Sequence, residues 1–117
     1  MYDITEVTFV EHGGFTAELA ELTDDETYRT FQTELAERAA SWPVVPSTGG
    51  LRKARFRLPR RGKSGSARVL YLWLPDRSVI FLYMIYTKGE ISTVPASQLK
   101  LIRHEVQLIK KAFDDEH

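Results

Sequence analysis

Eight cations stand between Gly50 and Arg68: Arg52, Lys53, Arg55, Arg57, Arg60, Arg61, Lys63 and Arg68, with no carboxylate among them. The acid-free stretch runs further, from residue 38 to residue 75, and holds nine of the sixteen lysines and arginines. Single-sign charge this dense repels itself unless an anion neutralises it part of the time, and a polyphosphate has the matching multiplicity. The formal net charge of zero hides this, because residues 1 to 37 carry ten acids against the single Arg29 and residues 76 to 117 carry six of each sign. A chain so polarised has a basic side and an acidic side. That asymmetry points to nucleic-acid contact, with a solvated, unpartnered basic hairpin as the alternative from composition alone.

Other chemistries find little support. The chain has no cysteine, which excludes disulfides, thiolate metal sites and Cys nucleophiles and is compatible with a reducing compartment. His12, His104 and His117 are far apart on different segments, so neither a His pair nor a metal cluster is indicated, and no metal or cofactor is expected. Gly62-Lys-Ser64 lacks the earlier glycine of a nucleotide-binding loop and no helix follows it. Thr23-Asp-Asp, which could pass for a carboxylate site, is better explained with Glu26 as a helix capping box, the Thr hydroxyl accepting from the amide three residues on.

The elements that must position the cations are legible in outline. At 117 residues and 43% apolar the chain is expected to form one domain over residues 1–117 with a modest core. No apolar run approaches the roughly 18 to 20 residues that cross a bilayer, and Met-Tyr-Asp-Ile-Thr-Glu lacks the pattern of a secretory signal, so a cytoplasmic protein without membrane contact is expected. Ile4 to Val10 reads as a strand with Ile4, Val7 and Phe9 buried; Phe15 to Leu22 reads as a short helix. A second helix is expected from about Asp24 to Ala40, with Tyr28, Phe31, Leu35 and Ala39 on one stripe. Trp42 to Gly50 is a connector broken by prolines and glycines.

From Leu51 to Leu58 the alternation sends Ala54, Phe56 and Leu58 to one face and Lys53, Arg55 and Arg57 to the other, with Arg52 on the apolar side. Pro59 to Ser66 is a loop carrying Arg60, Arg61 and Lys63. Ala67 to Leu74 and Val79 to Tyr86 are two further strands, joined by Pro75-Asp-Arg-Ser and expected to pair antiparallel. Pro95 opens a final helix with Leu99, Ile102, Val106 and Ile109 at helical spacing up to Phe113.

This order, together with Thr48-Gly-Gly-Leu-Arg-Lys53, Gly62-Lys-Ser-Gly-Ser-Ala-Arg-Val-Leu-Tyr71, Ile85-Tyr-Thr-Lys-Gly-Glu90 leading into Gln98-Leu-Lys, and Thr23 to Leu35, resembles the RelE/ParE superfamily of bacterial toxins and within it the HigB-like branch. The resemblance spans nearly the whole chain. It implies a small α+β RelE-like fold, an antiparallel sheet with two N-terminal helices and one C-terminal helix. It also implies a toxin of a type II toxin-antitoxin system, held inactive by a cognate antitoxin of the helix-turn-helix, HigA-like kind, encoded beside it. RelE-like members cut messenger RNA on the ribosome, whereas ParE-like members poison DNA gyrase; a ribosome-dependent endonuclease is the reading favoured by the basic strand, with a gyrase inhibitor or a degenerate non-catalytic homologue as the alternative.

Metal-free RNA cleavage needs a base for the 2′-hydroxyl, a cation for the charge growing on the phosphate and a donor for the leaving 5′-oxygen, and clustered Lys and Arg can supply all three. What the resemblance implies for this chain is that Arg68, in the family's Arg-x-x-Tyr element, holds the scissile phosphate; its other reading is a strand-edge ion pair. Lys53 and Arg55 align with the family's paired basic residues, Lys53 as candidate base. Arg57 and Lys63, with Arg60 and Arg61, would grip flanking phosphates. Tyr71 and Tyr86 can be base-stacking platforms or half-buried core. The chain departs from the family at Gly89, where RelE has an arginine implicated in leaving-group chemistry, and at Pro95, where RelE has a stacking tyrosine; Lys88 or Tyr86 could substitute, and Glu90 would orient a cation.

Overall fold

The computed structural model describes residues 6–59, 65–87 and 95–115. Strand β1 (Thr8–Glu11) leads into helices α1 (Gly13–Leu22) and α2 (Asp25–Glu37); strands β2 (Arg52–Arg57), β3 (Ser66–Leu74) and β4 (Val79–Thr87) follow, and helix α3 (Ala96–Asp114) comes last. The α+β order of two N-terminal helices and one C-terminal helix is therefore as expected. The sheet order is β1-β4-β3-β2. β2, β3 and β4 are antiparallel neighbours, but β1 lies parallel to β4, with Thr8 opposite Val79 and Glu11 opposite Leu82, so the sheet is mixed rather than antiparallel throughout. A parallel neighbour requires a long crossover, which α1, α2 and the intervening strands provide. Ile4, expected in the first strand, lies outside the described residues. Among the described residues no helix is long and apolar enough to cross a membrane.

Helix boundaries follow local side-chain chemistry. The imidazole Nδ1 of His12 accepts the Gly14 N–H at 3.1 Å and caps α1. At α2 the cap is Asp24, whose carboxylate accepts the Thr27 N–H at 2.8 Å. Thr23, assigned this role in the expected capping box, is instead the C-cap of α1, with its own N–H donating to the Leu19 carbonyl. A carboxylate at the N-cap also meets the positive end of the helix dipole, so Asp24 is the better-suited of the two.

One face of the sheet is filled by α1 and α2. Ala54, Phe56 and Leu58 of β2 and its continuation, at most 2% exposed, pack with Phe15 and Leu19 of α1 and with Phe31, Leu35 and Ala39, the predicted stripe. The Phe31 and Phe56 rings stack at 4.3 Å, a contact worth about 0.5–1.5 kcal/mol beyond the area it buries. Tyr28 is half-buried on the same stripe and donates its hydroxyl to Glu11 at 2.7 Å; burial, then this bond and the charge of Glu11, push its pKa up, against a smaller opposing effect of Gln32.

The other face is covered by α3 over part of its length. Val106, fully buried, meets Leu51, Leu70, Leu72, Phe81 and Tyr83, with Ile102, Ile109 and Phe113 packed around them. Tyr83 is an extra residue in β4: the β3–β4 register passes from Tyr71 opposite Leu82 to Leu70 opposite Met84. Such a bulge moves every later side chain to the other face, which places Ile85 toward α1 and α2 and Tyr86 toward α3.

The connector before β2 is locked under α3. Thr48, 1% exposed, donates its hydroxyl to the Val45 carbonyl at 2.8 Å and accepts the Leu51 N–H at 3.1 Å. Gly49 and Gly50 follow with φ of +82° and +117°, and a Cβ on Gly49 would stand 3.1 Å from the Val106 side chain. Lys110 of α3 donates to the Gly49 carbonyl. The Thr-Gly-Gly motif thus joins the start of the basic strand to the last helix by shape and by hydrogen bonding.

Candidate functional site

The cations of β2 lie where alternation puts them: Lys53, Arg55 and Arg57 are exposed while Ala54 and Phe56 are buried. Their partners follow from the hydrogen-bond phase. Leu58 donates its N–H to the Gly65 carbonyl at 2.7 Å, so residues of that phase on β2 bond to β3, and the pairs Lys53–Leu70, Arg55–Arg68 and Arg57–Ser66 are the non-hydrogen-bonded kind. In such pairs opposed Cα atoms are closest, roughly 4.5 Å apart. Arg68 is in turn opposite Tyr86 on β4. A row of Arg55, Arg68 and Tyr86 therefore crosses three strands, with Lys53 diagonal to Arg68 and Arg57 at the other end.

Two arginines opposed in this way repel, at a cost of up to about 1 kcal/mol unless a counter-charge intervenes. Among the described residues no carboxylate forms an ion pair with Lys53, Arg55, Arg57 or Arg68. An ion pair does form elsewhere, between Lys111 and Asp115 at 3.1 Å, and the His12 Nε2 lies 3.6 Å from a carboxylate oxygen of Glu105. Arg68 is half-buried and steadied by its own strand, one terminal nitrogen donating to the Ser66 hydroxyl at 3.3 Å and to the Ala67 carbonyl at 3.4 Å. A guanidinium has five N–H groups, so most of its donor capacity is left for an anion. Tyr86 is half-buried beside it; burial pushes the phenol pKa up, and the positive charge of Arg68 pulls the other way.

Tyr71 does not belong to this site. It is fully buried on the α1–α2 face, its hydroxyl donates to the Ala39 carbonyl at 2.6 Å, and burial pushes its pKa up to about 12 despite the nearby charge of Arg52. With no accessible ring face it cannot stack a base, which overturns its assignment as a platform. The parity of β3 carried the warning, since Tyr71 is an odd number of residues from Arg68. Arg52, on the apolar side as read, opens β2 and donates to the Trp42 carbonyl at 2.6 Å, tying the connector to the strand. Pro95 is exposed and caps α3. Arg60, Arg61, Lys63, Lys88, Gly89 and Glu90 lie outside the described residues.

Three contributors escaped the sequence reading. Ser66, two residues before Arg68 and hence on its face, was findable from period-2 counting alone. Lys110 and Glu105 were not: the first holds Gly49, and the second accepts the Tyr83 hydroxyl at 2.5 Å, across separations of 61 and 22 residues. Beside the basic row, between α2 and the outer edge of β2, runs a groove of about 580 Å³ lined by Asp24, Glu26 and Glu34 from the helix side and by Arg55, Arg57 and Pro59 from the sheet side. Among the described residues no cluster of three metal-ligating side chains occurs. No protein-family model matches this chain.

Proposed function

We propose that the chain is the toxin component of a type II toxin-antitoxin system, of RelE/ParE and HigB-like kind, and acts as a ribosome-dependent messenger-RNA endonuclease that stops translation. The observation that carries this reading is the unpaired opposition of Arg55 and Arg68 in a close cross-strand pair. A phosphate between the two guanidiniums converts their repulsion into a pair of charge-assisted hydrogen bonds.

The chemistry follows from that placement. Lys53 takes the proton of a 2′-hydroxyl. The 2′-oxygen attacks the adjacent phosphorus as Arg68 and Arg55 hold the charge that grows on the non-bridging oxygens, and the bond to the 5′-oxygen breaks. The products are a 2′,3′-cyclic phosphate and a 5′-hydroxyl, whose proton comes from Tyr86 or Lys88. The donor set is sparse, so the ribosome contributes the in-line arrangement of the message, an effect of geometry that lowers barriers by several kcal/mol. Arg57, Arg60, Arg61 and Lys63 grip flanking phosphates, and a helix-turn-helix antitoxin encoded in the neighbouring reading frame keeps the protein inactive.

The test mixes purified protein with programmed ribosomes and maps message ends, alongside Lys53→Ala. Cleavage that requires both the ribosome and Lys53 supports the reading; intact message in cells whose growth is nonetheless arrested overturns it. RNA binding should also weaken with salt, with a log-log slope of about −3 for roughly four neutralised phosphates, and a flat response would remove the phosphate grip.

A further inference from the structure

The outer edge of β2 is partly occupied by the chain itself. Val45 donates its N–H to the Leu51 carbonyl at 2.8 Å, and Lys53 donates to the Pro43 carbonyl at 3.0 Å, around an antiparallel bridge between Val44 and Arg52. The pairing stops there because Pro43 has no N–H to return to the Lys53 carbonyl, and the chain then turns toward α2 through Trp42. Lys53 faces outward, so the residues two and four further on face outward too: the backbone N–H and C=O groups of Arg55 and Arg57 point away from β3. Among the described residues none of these groups has a backbone partner beyond the edge.

That open edge borders the groove between β2 and α2, and the groove carries both signs of charge. Arg55 and Arg57 stand on the sheet side, Asp24, Glu26 and Glu34 on the helix side. We infer that the free edge of β2 is a docking site for an extended segment of a partner polypeptide, which continues the ladder begun by residues 43–45. Side chains of that segment beside Arg55 and Arg57 are acidic, and the alternate ones, turned toward α2, are basic or small and polar. Main-chain hydrogen bonds supply affinity in this mode, and the alternating side chains supply selection. A second copy of β2 is a poor occupant, because it would set Lys53, Arg55 and Arg57 against another set of cations, the arrangement by which natural edges resist self-pairing. The inference does not depend on what the basic row binds.

The probe is an end-capped seven-residue peptide with Glu at its second, fourth and sixth positions and Lys or Thr between, titrated against the full chain by fluorescence anisotropy. Its control has the same residues with the three Glu contiguous. The alternating peptide should bind about tenfold or more tightly than the control and should slow amide exchange at Arg55 and Arg57. Arg55→Pro removes an outward N–H without touching a bond to β3 and should weaken binding about tenfold or more. Equal binding of the two peptides, or full binding by a folded Arg55→Pro variant, overturns the proposal. If that variant does not fold, exchange in the unmodified protein decides: Arg55 and Arg57 amides that exchange equally fast with and without saturating peptide overturn it as well.

Discussion

The two faces of the sheet are made from the same strands and do opposite work. Facing α1 and α2, the side chains of Ala54, Phe56, Ala67, Val69 and Tyr71 are all fully buried, and the one polar group among them, the Tyr71 hydroxyl, has its partner. Facing α3, the same two strands show Leu70 and Leu72 under the helix and then Lys53, Arg55, Arg57 and Arg68 beyond it, none of them in an ion pair among the described residues. A single-residue step along β2 moves from one regime to the other. The lesson is that, on the proposed function, stability and binding separate by parity: the odd positions of β2 are exposed and can be altered with little effect on folding, while the buried Ala54 and Phe56 cannot.

The sharpest way to break that separation is to truncate the filled face. Phe56→Ala removes a ring stacked on Phe31 in a closed core and should cost about 3–5 kcal/mol, read as a lower urea midpoint at unchanged slope. If the loss were under about 1 kcal/mol, the α1–α2 face would not be the rigid one. Next in size is Arg68→Ala on the other face, which should lower message cleavage on ribosomes about 10²–10³-fold while the thermal midpoint stays within a few degrees. Unfolding of this variant would make Arg68 structural and would erase the contrast.

Smaller effects sharpen the comparison. Tyr71→Phe leaves the Ala39 carbonyl without its donor and should cost about 1–2 kcal/mol while sparing cleavage, the reverse of the Arg68 pattern. The same tyrosine carries a pH dependence. Its folded pKa, about 12, lies above the ordinary value of 10, so the folded state keeps its proton longer than the unfolded state does. Its contribution is therefore complete below pH 10 and is lost as pH rises toward 12; chemical denaturation across that window should show a fall that is shallower in Tyr71→Phe. Least of all, Arg55→Ala should change stability by about 0.5 kcal/mol or less, and toward a gain, because it relieves the repulsion from Arg68. A clear loss of stability there would mean that the opposed arginines are already compensated.

Much of this was legible in the chain because it is local. Alternation over Leu51–Leu58 separates Phe56 from Arg55 without any knowledge of neighbours, and helical spacing sets Phe31, Leu35 and Ala39 on one stripe. The same counting would have assigned Tyr71 to the core and Ser66 to the face of Arg68. These follow from the fixed periods of strand and helix, which are properties of the backbone. What sequence could not decide is which strands become neighbours and in what phase. The opposition of Arg55 and Arg68 depends on the β2–β3 register, and the presence of Tyr86 in the row depends on the bulge at Tyr83, which reverses the parity of the end of β4. The parallel seat of β1, the docking of Val106 over Gly49 and the reach of Lys110 to the Gly49 carbonyl join residues remote in the chain. Such contacts are chosen by the packing of whole elements against one another, and no local period encodes them.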